Sequence, residues 1–288
     1  MDTTADDYRM LTVDALPAAL TGDGGAMVLT LDRAFQGLPD TAHGGSVLAL
    51  FDLVAAPGGA RRLAGHYLKR VPLGTPLALR ARRAPDGCHL EVAERDTVLV
   101  RGHVAAADPE GGAAVPAPAA DALPLPISRT CFACGIDNAL GLHATLRADA
   151  DAVGGTWSPR PGFATVAGTL APVALTTLLD EAAFWLGALA TGEAGMTTEL
   201  HVTLHAEAAA SSTITVAGAR AAVRPRADDP RYTETTVTAR DDGGRLVASA
   251  VITFVAVRGT ARRLVTGMLA VNPPELLRRV FPAYTPPA

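Results

Sequence analysis

The 288-residue sequence predicts an α+β chain made of two halves of similar order. Three observations carry that prediction. Two apolar helices, starting near Gly45 and within 169–190, each bear an acid: Asp52 in the first, Asp180 with Glu181 in the second. Each helix is followed by a run of segments whose apolar residues alternate with period two, the pattern of half-buried strands. Between the halves lies a stretch rich in Ala, Pro and Gly without periodicity, 108–126, which reads as a linker. Laying Asp52 on Asp180 sets SVLALFD opposite ALTTLLD, an internal duplication by pattern at low identity. The domain plan is therefore 1–107, a linker 108–126, a second unit 127–258, and a tail 259–288 with one short helix.

The elements follow in order. Residues 8–31 read as two strands around the Gly22-Asp23-Gly24-Gly25 turn, with AMVLTL as the second. The first helix is short, because Pro57-Gly58-Gly59 stops it soon after Asp52. RRLAGHYLKRVPLGTPLALRARR reads as two extended segments joined at Pro72 to Pro76. CHLEVAERDTVLVRGHVAAAD reads as two antiparallel strands around Arg95-Asp96. In the second half, 142–148 and 154–157 read as strands. The helix within 169–190 follows, and then strands at 199–205, 212–222, 232–240 and 245–257. Asp241-Asp242-Gly243-Gly244 forms the last hairpin turn. PPELLRRVF is a short tail helix with proline at its start.

Composition is that of a globular protein, 49% hydrophobic and 19% charged, with a formal net charge of -4. There is no basic excess to suggest a nucleic-acid partner. Lys69 is the sole lysine among many arginines, which together with the alanine richness reads as a coding bias. The acidic start MDTTADDYRM is no secretory leader, and no stretch approaches ~20 apolar residues, so a soluble cytoplasmic protein without membrane partners is expected. Three cysteines, Cys88, Cys131 and Cys134, make no disulfide framework.

The stretch AFQGLPDTAHGGSVLALFD organises the chain. A polar loop ends in His43-Gly44-Gly45 and runs into the apolar helix, with Asp52 nine residues after the histidine. Glycines let the backbone approach another group. The helix start leaves N–H groups without partners and carries the positive end of the macrodipole. Such a start suits an oxyanion or a polarised carbonyl. An acid on an otherwise apolar helix is costly to bury without a partner or a task.

FQGLPDTAHGGSVLALFD resembles the loop and central helix of hotdog-fold acyl-CoA thioesterases of the phenylacetate-pathway type. YLKRVPLGTPL resembles the strand that follows, CFACGIDNALGL an opening seen in many members, LLDEAAFWLGA their helix and GGRLVASAVITFV their last strand. The resemblance covers about residues 8–107 and 127–258. It implies a double hotdog, a pseudo-dimeric single chain in which each half wraps an antiparallel sheet around a central helix. It also implies hydrolysis of an acyl-CoA or acyl-carrier-protein thioester to a carboxylic acid. The resemblance implies no metal and no cofactor beyond the pantetheine of the substrate. Simpler members form tetramers, so a homo-oligomer of pseudo-dimers is compatible with it. By the same resemblance His43, Gly44 and Gly45 supply the carbonyl-polarising helix start. The acid is Asp52 if the site lies within one half, or Asp180 or Glu181 if it spans the interface.

The second half departs from this pattern. Nine residues before Asp180 stands Ala171-Pro172-Val173. Pro172 has no N–H and Val173 carries a side chain, so at most one competent site is expected. Cys131-x-x-Cys134 with His143 has half the makings of a zinc site, but a second CxxC is absent and a tight turn lined by buried thiols is the reading adopted. His201 and His205, four apart, point to one strand face, and Phe184 and Trp185 belong to the core or wall an acyl pocket. The competing readings are a hydratase or dehydratase that recruits His43 with Asp52, and a non-catalytic acyl-thioester-binding protein. No G-x-S-x-G elbow, Walker loop or dinucleotide fingerprint occurs.

Overall fold

The computed structural model describes residues 12–22, 27–109 and 114–282. The first half contains α1 (Thr12–Ala18), β1 (Leu20–Thr21), β2 (Met27–Leu29), α2 (Gly44–Ala55), β3 (Arg61–Tyr67), β4 (Leu77–Ala84), β5 (Gly87–Glu94) and β6 (Thr97–Ala106). The second contains β7 (Leu123–Pro124), β8 (Arg147–Ala148), β9 (Ala152–Trp157), α3 (Pro172–Thr191), β10 (Gly195–Leu204), β11 (Ile214–Ala219), β12 (Arg224–Pro225), β13 (Tyr232–Arg240) and β14 (Leu246–Ala256). Helices α4 (Thr260–Met268) and α5 (Pro274–Val280) close the described chain.

The strands among the described residues join one 14-stranded sheet in the order β1-β2-β4-β5-β6-β3-β10-β14-β13-β11-β9-β8-β7, with β12 paired to β13. The seam between the halves is the antiparallel pair β3 and β10, running from Glu199 opposite His66 to Leu204 opposite Arg61. The two main helices lie against this sheet and against each other. α2 packs on β3 and β6, and Phe51 sits over Gly102, where any side chain would collide with its ring. α3 packs on β10, β11, β13 and β14, with Phe254 seated on Gly187 in the same way.

Both helices are apolar on nearly every face because both are enclosed. Val47, Leu48, Leu50 and Phe51 of α2 and Leu178, Leu179, Trp185 and Leu186 of α3 are buried. Each such side chain contributes about 1.5–3 kcal/mol relative to exposure. α3 is long and apolar enough to span a bilayer by length and composition, yet 83% of its apolar window is buried in this core. α2 ends at Ala56 in the left-handed region (φ 44), whose N–H bonds the Asp52 carbonyl, and Pro57 follows. α3 ends on Gly192 at φ 68.

Four sequence readings need correction. The first strand expected within 8–31 is helix α1: Thr12, Ala15 and Leu16 share one buried face, and the Thr12 hydroxyl bonds the Leu140 carbonyl. Residues 8–11 and the turn residues 23–26 lie outside the described residues. Of the strand expected over 142–148, only Arg147–Ala148 joins the ladder. Leu142 and Ala144 instead give their N–H groups to the Phe132 and Ala133 carbonyls of the Cys-x-x-Cys turn. The strand expected over 212–222 gives way to a 3₁₀ turn at Arg220–Ala222. His205 lies beyond β10 and bonds Ser249 (2.8 Å), while His201 meets His66 edge to face at 5.5 Å across the seam. α4 had no forecast in the sequence.

Candidate active site between the two halves

The loop before α2 is pinned at both ends. His43 N–H bonds the Phe35 carbonyl (2.8 Å), and Ala42 N–H bonds Val71 O (2.9 Å) in the β3–β4 connection. The Cys-x-x-Cys turn of the second half docks on the same loop. Phe132 N–H reaches Gln36 O (2.6 Å), and the Asn138 amide reaches Ala34 O (2.6 Å) and Thr130 O (3.0 Å). A cavity of about 420 Å³ opens where these pieces meet α3 and β10, within the usual range for small-molecule sites. His43, Gly44, Asp180 and Glu181 line it, as do Tyr67, Thr197, Cys131 and Cys134.

The two glycines at the helix start have different tasks. A Cβ on Gly44 would lie 2.7 Å from the Asp180 carboxylate, so this position is open to let that side chain reach the helix start. A Cβ on Gly45 would lie 2.6 Å from Thr176 O and from Thr177 Cα, so Gly45 lets α2 touch the α3 backbone. Thr176 seals that contact by donating its hydroxyl to Gly45 O (2.8 Å). The Gly45 N–H donates to Asp180 Oδ2 (3.0 Å), and the Gly44 N–H has no acceptor among the described residues.

Asp180 is thus held from both halves. Thr197 of β10 donates its hydroxyl to Oδ1 (2.6 Å), and His43 Nδ1 lies 3.2 Å from Oδ2. Gly45 N–H also points at His43 Nδ1 (3.3 Å), but that nitrogen cannot both accept there and donate to Asp180. Gly45 has the nearer carboxylate as acceptor, so the proton is assigned to Nδ1 and given to Asp180. The second ring nitrogen, Nε2, faces Glu181 Oε2 at 3.6 Å. Glu181 is steadied by the Trp185 indole N–H (3.0 Å), and Tyr67 donates its hydroxyl to Gly44 O (2.6 Å).

His43, Asp180, Glu181 and Trp185 are buried, and Tyr67 and Thr197 are partly buried. Burial alone would lower the His43 pKa. The hydrogen bond to Asp180, the Glu181 carboxylate facing the second ring nitrogen and the Asp180 charge outweigh it and raise the imidazole well above its ordinary 6.5. Burial, with Asp180 nearby, pushes the Tyr67 phenol well above its ordinary range. Cys131 is pulled down by a hydrogen bond from Cys134, which is itself pushed up by the same bond and by burial.

Asp52 does not line the cavity. It faces Arg61 of β3 in a bidentate pair (2.5 and 2.7 Å) with both side chains largely buried. His143 also lies apart, at φ 54 with its ring on the Asn138 carbonyl (2.7 Å). Phe184 and Trp185 line the cavity wall. Sequence reasoning did not single out Thr197 or Tyr67. Thr197 is one of many threonines in the strands, and only the packing of α3 on β10 brings it to Asp180.

Neither a protein-family model nor a curated protein sequence matches the chain. Solved structures do match. A provisionally named thioesterase from Novosphingobium aromaticivorans is 17% identical with a TM-score of 0.60, over 83% of this chain and 98% of that one. An acyl-CoA thioesterase II, TesB2, from Mycobacterium marinum is 15% identical with a TM-score of 0.54, over 85% and 98%. The dehydratase domain of the CurJ module of curacin polyketide synthase is 10% identical with a TM-score of 0.54, over 82% and 93%. At these identities the likeness speaks for the fold, and with the single sheet, its central seam and its two enclosed helices, the chain is a tandem hotdog protein.

Proposed function

We propose that the chain hydrolyses an acyl thioester, with one working site shared by the two halves. One observation carries this reading: the Asp180 carboxylate of the second half lies over the Gly44-Gly45 helix start of the first. The free Gly44 N–H, at the positive end of α2, polarises the thioester carbonyl. Asp180, oriented by Thr197, takes a proton from water as its oxygen attacks the carbonyl carbon. The C–S bond then breaks, and the thiol leaves with a proton as the acid is released. The His43 imidazolium stabilises the charged carboxylate and fixes its position.

The symmetry-related site is degenerate in this reading. Its acid, Asp52, is neutralised by Arg61, and its helix begins with Pro172, which has no N–H to offer. The mouth favours a CoA thioester. Lys69, Arg70, Arg129 and Arg263 are exposed at the cavity lining and suit the phosphates of CoA, while Phe184, Trp185 and Leu264 provide apolar wall for the acyl chain.

Free thiol release measured across short, aromatic and long acyl-CoAs and a carrier-bound thioester tests the reading. Turnover by the wild type and its loss in Asp180→Asn is the expected result, and no release from any substrate refutes it. A hydro-lyase is the second reading, because His43 and Asp180 come from opposite halves and dehydratase domains share the fold. Against it, the two groups bond each other at 3.2 Å and are not free to address two carbons separately. Change in enoyl absorbance without thiol release would favour it.

A further inference from the structure

The hydrolytic reading leaves Cys131, Cys134 and Glu181 without a task, although all three are buried beside the cavity. The Cys-x-x-Cys turn is a built element. Gly135 N–H closes it on Cys131 O (2.8 Å), and Ala133 N–H donates to Cys131 Sγ (3.3 Å), a bond that favours a thiolate. Gly135 admits no side chain, since a Cβ would collide with the Cys131 carbonyl. The turn directs Cys131 Sγ at the other half. There it meets a ring nitrogen of His43 and a carboxylate oxygen of Glu181, the three atoms lying within 4.8 Å of one another.

From this geometry we infer that His43, Cys131 and Glu181 form a binding site for a soft divalent cation of the zinc class, with the fourth position toward the cavity.

Thiolate, imidazole and carboxylate together suit zinc, whereas magnesium and calcium take oxygen ligands. The spacing fits as well. His43 Nε2 and Glu181 Oε2 are 3.6 Å apart, too long for a hydrogen bond. Two ligand atoms each ~2.1 Å from one tetrahedral ion stand roughly 3.4 Å apart. The remaining ring nitrogen is already held by a carboxylate, Nδ1 on Asp180 Oδ2 at 3.2 Å, the usual support for a metal-bound imidazole. Glu181 is likewise braced by Trp185. Cys134 lies against Cys131 and Glu181 and hydrogen-bonds the liganding sulfur. The proposal does not depend on hydrolysis.

The test uses the full chain, stripped by a chelator and kept reduced with a phosphine. Cobalt(II) is titrated in under nitrogen while the near-ultraviolet thiolate-to-metal band and the visible tetrahedral bands are followed. The expected result is saturation at about one equivalent and displacement by zinc. Cys131→Ser abolishes the near-ultraviolet band, and Cys88→Ser, a buried thiol away from the site, leaves it intact. Asp180→Asn weakens binding by roughly 10–100-fold, as loss of a supporting carboxylate does, and Cys134→Ser has less effect than Cys131→Ser. Absence of the band in folded wild type, or its persistence in Cys131→Ser, overturns the proposal. Circular dichroism of each variant confirms that it is folded. Because binding is read by absorbance, failure of thioester turnover beside an intact band counts against the hydrolase reading alone.

Discussion

Adding one methyl group at Gly44 or at Gly45 separates chemistry from packing. In Gly44→Ala the new Cβ lies 2.7 Å from Asp180 Oδ2, and ordinary contact begins at 3.4 Å. The carboxylate must therefore withdraw by 3.4 − 2.7 = 0.7 Å. It can do so by a side-chain movement, and alanine is the better helix former by ~0.5–1 kcal/mol, so stability should hardly change. Activity should not survive as well. A misplacement near 1 Å costs on the order of 10²-fold in rate, even though the backbone N–H donor at position 44 is retained. In Gly45→Ala the clash is 2.6 Å against the Thr176 carbonyl and the Thr177 Cα, which are backbone atoms. Relief requires α2 and α3 to move apart, an overpacking cost of about 1–3 kcal/mol. A cost of ~2 kcal/mol corresponds to roughly 3 °C in Tm for a chain of this size. Thermal unfolding and thiol release from an acyl-CoA, measured on both variants, provide the comparison. If Gly44→Ala retains activity within about threefold, or if it loses more stability than Gly45→Ala, the division of labour between the glycines is wrong.

Three further outcomes follow from the same geometry. Thr197→Val removes the 2.6 Å hydroxyl bond to Asp180. A turnover loss of about tenfold with KM little changed is expected from a hydrogen bond worth ~1–1.5 kcal/mol, and unchanged turnover would remove Thr197 from the site. Asp52→Leu strands the largely buried Arg61 and should destabilise the chain by about 3–5 kcal/mol in urea titrations. Activity per folded molecule should persist, and a 100-fold loss would return the role of base to Asp52. His43 has a folded pKa raised well above 6.5 by Asp180 and Glu181. Its contribution to stability is therefore complete below the unfolded value and disappears as pH rises through the folded one. The urea midpoint of metal-free protein should fall on the alkaline side, and His43→Gln should flatten that slope. An identical slope in the variant would show that another group titrates.

Much of the secondary structure was legible because local patterns encode it. β13 begins and ends where its period-two alternation does, at Tyr232 and Arg240. α2 stops where Pro57 requires it to. The misreadings have a common cause, which is that partners outside the local pattern decide where these residues go. Leu142 and Ala144 look like strand residues, but the Cys-x-x-Cys turn takes their hydrogen bonds. The 12–18 segment looks extended until the Leu140 carbonyl offers Thr12 a partner 128 residues away. Histidine spacing misled for the same reason. His201 and His205 are four apart in the chain but serve different neighbours, His66 and Ser249.

The sequence by itself determined the α+β class, the two acid-bearing helices, the glycine-rich helix start and the proline that replaces it in the second half. Those features are local: they depend on spacing, side-chain type and the presence or absence of an N–H. Only the tertiary structure decided which acid meets which glycine. The β3–β10 seam and the close approach of α2 to α3 set Asp180 over Gly44 and leave Asp52 to Arg61. They also bring Cys131 to His43 and Glu181 rather than to the nearby His143. No pattern within either half records the pairings of Asp180 with the glycines or of Cys131 with His43, because they arise from how two separately encoded surfaces fit together across the interface.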